Sequence, residues 1–169
     1  MKKLMIAVAL GALLLGAFAM AQEKVTPTYV GADKCKMCHK DIYEAWSKTK
    51  HATAFSKLSA EEAKKAECTG CHVTGAMADG VMIENVTCEA CHGAGSEYKK
   101  PAIKAAAKWK ADRPAQLALA KAAGLIVPTA ENCVRCHKAE GNPNFKGFDF
   151  EKSKGLVHPV AAAAPADKK

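Results

Sequence analysis

Residues 35–51 read CKMCHKDIYEAWSKTKH, and the C-x-x-C-H with which they open returns three more times, as CTGCH at 68–72, CEACH at 88–92 and CVRCH at 133–137. The four motifs use all eight cysteines of the chain and leave none over. Two thiols at this spacing, followed at once by a histidine, match the needs of covalent c-type haem attachment. The thiols add across the two vinyl groups on one haem edge, and the adjacent imidazole then meets the iron from one face. The expected thioether residues are Cys35, Cys38, Cys68, Cys71, Cys88, Cys91, Cys133 and Cys136; the expected proximal ligands are His39, His72, His92 and His137. Paired cysteines also build zinc knuckles, and eight in an exported chain would ordinarily form disulfides. The histidines decide against both. With six in 169 residues, the chance that one follows all four pairs is on the order of one in a million.

Outward from the motifs, the chain looks too poor in large apolar residues to fold on its own. It opens MKK, continues through the apolar run LMIAVALGALLLGAF and reaches Ala19, Met20 and Ala21 before Gln22, the three-part pattern of a secretory signal peptide cleaved after Ala21. The expected organisation is a signal peptide over 1–21, a tetrahaem domain over 22–158 and a flexible Ala/Pro/Lys-rich tail over 159–169. No other segment is apolar enough to cross a membrane, so the processed protein is expected to be exported, periplasmic or beyond, and soluble. From Gln22 onward there are four Phe, two Trp and three Tyr, and much of the remaining apolar content is alanine. Such a chain buries too little surface to offset its conformational entropy unless something else supplies the interior. Four haems supply it, which couples folding to haem attachment.

The expected fold class is mostly α with extensive loop, compact around four covalent haems. Ile42, Ala45, Trp46, Thr49 and Thr53 fall at roughly helical spacing and predict a helix from Asp41 to about Lys57. Ser59 to Glu62 carries a capping-box pattern ahead of the second motif. Gly75 to Asn85 reads as a loop, and no strand pattern stands out. Pro101 falls near the first turn of a helix within 96–110. Asp112, Pro114 and Gly124 cap, open and end another. The GNPNFKGFDF stretch reads as a loop whose phenylalanines edge a haem.

Each iron has a second axial position, and its occupant separates electron transfer from ligand binding. Only His51 and His158 remain for four irons. Twelve residues of helix would carry His51 about 18 Å from His39, so it is expected to reach a different haem. His158 precedes Pro159, which favours an extended approach. Met77 and Met82 are weaker candidates, since a methionine in a loop packs more often than it ligates. One or two haems are expected to be five-coordinate.

The stretch Tyr29-Val30-Gly31, followed by CKMCH, Tyr43, Trp46, His51 and three further C-x-x-C-H motifs, resembles the multihaem cytochrome c-554 family over about Tyr29 to His158. The resemblance implies a helical, periplasmic tetrahaem electron carrier with closely packed haems, some stacked in parallel, and with a high-spin five-coordinate site beside bis-histidine ones. It implies that His51 is the distal ligand of the fourth-motif haem and His158 that of the third. The family pattern also has a distal histidine shortly after the third motif, where this chain has GAGSEYKKPA and none. That departure leaves the distal side of the first-motif haem open and makes the second-motif haem the candidate open site.

The formal charge of +8 falls to about +6 without Lys2 and Lys3, and to roughly +2 once haem propionates and ferric centres are included. Nucleic acid is therefore a poor partner. Lys34, Lys36, Lys40, Lys48 and Lys50 around the first motif suit redox partner proteins with acidic docking surfaces. An electron carrier is the favoured function and catalytic residues are expected to be none. The rivals are a haem enzyme or gas-binding protein that takes nitric-oxide-like ligands at a five-coordinate site, and a subunit of an extracellular haem filament. Absence of any C-x-x-C-K motif favours the carrier over the enzyme.

Overall fold

The structure, a computed structural model, describes residues 25–158. The expected signal peptide and terminal tail lie outside the described residues. Among those described, the hydrophobic residues that reach full burial are Trp46 and Ala120, at 9% and 2% exposure. A chain of this size ordinarily buries many more, and what stands in their place are short helices arranged around the four motifs.

Ala32–Lys36 (α1) and Lys40–Trp46 (α2) flank the end of the first motif. The expected continuous helix to Lys57 stops at Trp46. Thr49 turns extended, its hydroxyl donates to the Trp46 carbonyl at 2.7 Å, and the chain continues as two 3-10 turns, Lys50–Thr53 and Phe55–Lys57. The Thr49 hydroxyl competes for a backbone acceptor, as threonines do inside helices. The capping box is present in both directions: Glu62 N–H donates to the Ser59 hydroxyl at 3.2 Å, and Ser59 N–H donates to the Glu62 carboxylate at 2.8 Å. It opens a 3-10 turn, Glu62–Lys64, and Ala66–His72 (α3) then carries the second motif.

The segment expected to be a loop between the second and third motifs is a hairpin. Val73–Ala76 (β1) pairs antiparallel with Met82–Glu84 (β2), with Ala76 opposite Met82 and an irregularity between Val73 and Gly75. Three- and four-residue strands leave too little alternation to read from sequence. Cys88–His92 (α4) follows, then Pro101–Lys104 (α5), Ala106–Ala111 (α6) and Arg113–Ala122 (α7). Asp112 caps α7 as expected, accepting from Ala115 N–H at 2.9 Å, with proline at the helix start. Ala130–Val134 (α8) enters the fourth motif, and Phe150–Val157 (α9) delivers His158 in an extended conformation.

Candidate haem sites

Segments distant in sequence hold the motif histidines in place. His72 Nδ1 lies 2.6 Å from the Ala54 carbonyl oxygen and His92 Nδ1 lies 3.1 Å from that of Ile126. Facing a carbonyl, Nδ1 must carry the ring proton, so Nε2 is left with its lone pair free for a metal. Close glycine packing makes the His92 contact possible. Gly93 sits at φ +78, and a Cβ there would come within 2.5 Å of the Gly124 carbonyl oxygen. With two glycines back to back, Ile126 N–H also reaches the His92 carbonyl at 2.9 Å.

His51 is stapled at the backbone. Val86 N–H donates to the His51 carbonyl at 3.1 Å, Trp46 Nε1–H donates to the Val86 carbonyl at 2.9 Å, and Phe55 N–H donates to Asn85 Oδ1 at 2.9 Å. Asn85 adopts φ +71 to make this possible. Below it, Thr74 and Thr87 exchange a hydroxyl contact of 2.9 Å, and Thr87 N–H donates to Thr74 Oγ1 at 2.9 Å.

The imidazoles then pair across the molecule. The rings of His51 and His137 are 5.9 Å apart between centroids, and those of His92 and His158 are 6.2 Å apart and 29° from parallel. Two metal–nitrogen bonds of about 2 Å, with about 1 Å from each nitrogen to its ring centre, give about 6 Å for two imidazoles sharing one metal. Phe148 stacks on His137 at 4.8 Å, which places one of the expected phenylalanines against a motif histidine. Burial lowers the tendency of His51 and His92 to protonate, and in each case a nearby histidine adds to the effect. Neutral imidazole is the ligating form.

A cavity of about 330 Å³ has Cys88, Cys91, His92 and His158 in its walls together with apolar Trp46 and Val127. His51 and Cys133 also reach its wall; the third motif's own two thiols with the facing imidazoles of His92 and His158 are the donor set of a covalently attached haem, and the third motif fits that group. Met77 and Met82 do not line this cavity: Met77 bridges to Tyr29, and Met82 is 45% exposed on β2.

All eight cysteines are free thiols, and their contacts link the motifs. Cys35 and Cys88 hydrogen bond, and that bond, with burial, pushes the Cys35 thiol up. Cys136 is pushed up to about 11 by burial first and by its bond with Cys71 second. Cys91 feels the charge of Cys133, and the Arg135 guanidinium donates to the Ala90 carbonyl at 2.8 Å. First touches third, third touches fourth and fourth touches second.

Two residues inside motifs were missed from sequence. Arg135 ties the fourth motif to the third. Glu89, at 1% exposure, accepts from Val30, Gly31 and Gly95 backbone N–H groups at 2.8–3.1 Å. The signal available was a charged residue between the cysteines of CEACH and of CVRCH, a position the haem chemistry leaves unconstrained.

Residues 34–93 match the family model described as cytochrome c554 and c-prime. Cytochrome c-554 of Nitrosomonas europaea is 29% identical, covering 83% of this chain and 72% of that protein. The solved structure of reduced cytochrome c554 from Nitrosomonas europaea superposes with a TM-score of 0.59 at 20% identity, over 80% of this chain and 86% of that one. Fold and comparisons define a mostly helical multihaem cytochrome of the c type, an electron carrier whose haem is covalently bound. Within that class the chain is similar to the cytochrome c-554 family, whose model its residues 34–93 match.

Proposed function

We propose that this chain is an exported tetrahaem electron carrier in which Cys35 and Cys38, Cys68 and Cys71, Cys88 and Cys91, and Cys133 and Cys136 each hold one haem, with His39, His72, His92 and His137 as proximal ligands. The pairing of each stray histidine with a motif histidine, at 5.9 and 6.2 Å, carries this reading. His51 and His137 would ligate the fourth-motif iron, and His92 and His158 the third. Bound haem supplies a one-electron ferric/ferrous couple. The chain does the rest: its apolar walls keep water from the third site, and the Ala54 and Ile126 carbonyls hold the proton on Nδ1 of His72 and His92.

With both stray histidines so committed, none of the six remains for the distal positions of the first and second irons. The second-motif haem is the open site in this reading. Thiol contacts support a spatial order of first, third, fourth, second, so the chain has two ends for electrons to enter and leave. The first-motif end suits an acidic redox partner. Cys38 is the exposed cysteine of the eight, Met37 beside it is 70% exposed, and Lys104 Nζ lies 4.0 Å from its sulfur. Lys34, Lys36, Lys40, Lys48 and Lys50 surround this apolar centre in sequence, the arrangement of a basic ring that steers an acidic partner.

Pyridine haemochrome assay and intact mass test the reading together: four haems per chain are expected, and fewer would refute it. Electron paramagnetic resonance of the ferric protein should give low-spin and high-spin signals together. Low-spin signals alone would exclude the open site.

A further inference from the structure

Glu89 is the most buried large side chain of the described residues, and its role goes beyond packing. Both carboxylate oxygens are taken by backbone N–H groups: Oε1 by Val30 and Gly95 at 3.0 and 2.8 Å, and Oε2 by Val30 and Gly31 at 3.1 and 2.8 Å. Every partner is a donor, so the shell fits the ionised carboxylate, which only accepts, rather than the acid, which must also donate. Among the described ion pairs, no Lys, Arg or His neutralises it. Its position lies between two motifs. It sits inside the third, it clamps the segment that leads into the first, and its charge is felt by both Cys35 and Cys88, which bond to each other.

We propose that Glu89 is a fixed buried charge that lowers the midpoint potential of the haem held at the first motif, the third, or both. One electron from a redox donor converts Fe(III) to Fe(II) and lowers the charge of that centre by one, with no bond made or broken. A buried anion favours the more positive, oxidised centre, and burial keeps its field from being screened by salt. This end of the haem series is thereby tuned to give up electrons toward the fourth and second motifs. The inference rests on the first and third motifs being haem sites.

The test is a mediated spectroelectrochemical titration of the holoprotein and two variants, with haem counted by pyridine haemochrome. Glu89→Gln keeps the shape and removes the charge; Glu89→Asp keeps the charge and disturbs the shape. At an effective dielectric of about 20, a unit charge about 10 Å from a redox centre shifts a one-electron equilibrium by roughly tenfold, which is about 59 mV. The expected result is an upward shift of about that size for at least one haem in E89Q and a near-parental potential in E89D. An unmoved E89Q, or equal shifts in both variants, overturns the proposal. Should E89Q fail to accumulate, redox-difference infrared spectra of the parent protein, labelled with carbon-13 glutamate, decide. A buried carboxylate band that moves on reduction supports the proposal, and a labelled spectrum with no such band overturns it. A parent haem count below four overturns the site assignment and this inference with it, whereas four haems with unmoved potentials overturn the inference alone.

Discussion

At the scale of single residues, His51 shows how a side chain is placed by a backbone that it does not belong to. Its carbonyl accepts from Val86 N–H, and Trp46, five residues earlier, donates to the Val86 carbonyl. Replacing His51 with alanine is expected to convert one low-spin haem to high spin while the haem count stays unchanged. Paramagnetic resonance and the visible spectrum read this directly, and an unchanged spectrum would remove His51 from the iron. His158→Ala should do the same at a different haem, so the double variant should lose two low-spin signals, roughly additively. Counting histidines marked His51 as one of two candidates for a distal position, and its ring lies 5.9 Å from that of His137. The helix-length reason for it does not hold, because Thr49 breaks that helix and the 3-10 turns that follow place the ring.

Elements in this chain are short, and their caps matter accordingly. Asp112→Ala removes the acceptor for Ala115 N–H and should cost about 1 kcal/mol, seen as a lower thermal midpoint with haem spectra intact. Gly93→Ala is expected to cost more, of order 1–3 kcal/mol, since φ is +78 and the new Cβ would stand 2.5 Å from the Gly124 carbonyl oxygen. Unlike the Asp112 change, it should also disturb the spectrum, because the 124–126 turn holds His92 on both its carbonyl and its ring. The prolines, the Asp112 cap and the Ser59–Glu62 box could be read in advance because each is a local rule acting within four residues. The hairpin at 73–84 could not. Its stability comes from Thr74 and Thr87 meeting across a turn and from the Tyr29 ring packed against Gly75, contacts that no local pattern encodes.

For the whole molecule, the scarcity of buried apolar side chains sets the thermodynamics. With Trp46 and Ala120 as the fully buried hydrophobic residues described, burial by side chains alone falls far short of the entropy of ordering the chain. Protein made without haem attachment should therefore lack native helix by circular dichroism, and a cooperative, helical apoprotein would contradict a haem-centred interior. Electron exchange with an acidic redox protein is expected to slow steeply as ionic strength rises from about 0.01 to 0.15 M, where the screening length falls from about 30 to 8 Å. Charge reversal at Lys34 and Lys36 should flatten that dependence, measured by stopped-flow spectroscopy.

The sequence by itself determined the cofactor chemistry and its stoichiometric limits, because two thiols and a histidine at fixed spacing are a local requirement and six histidines set an upper bound on ligation. It also determined the helical class, through caps and prolines that act over one turn. Tertiary structure alone decided which motifs touch, which stray histidine faces which motif histidine, and that Glu89 is buried among backbone donors. Most of those relations join residues far apart in the chain, 59 positions for Glu89 and Val30 and 86 for His51 and His137, where no periodicity links them, and they exist only once the short helices have closed around a shared interior.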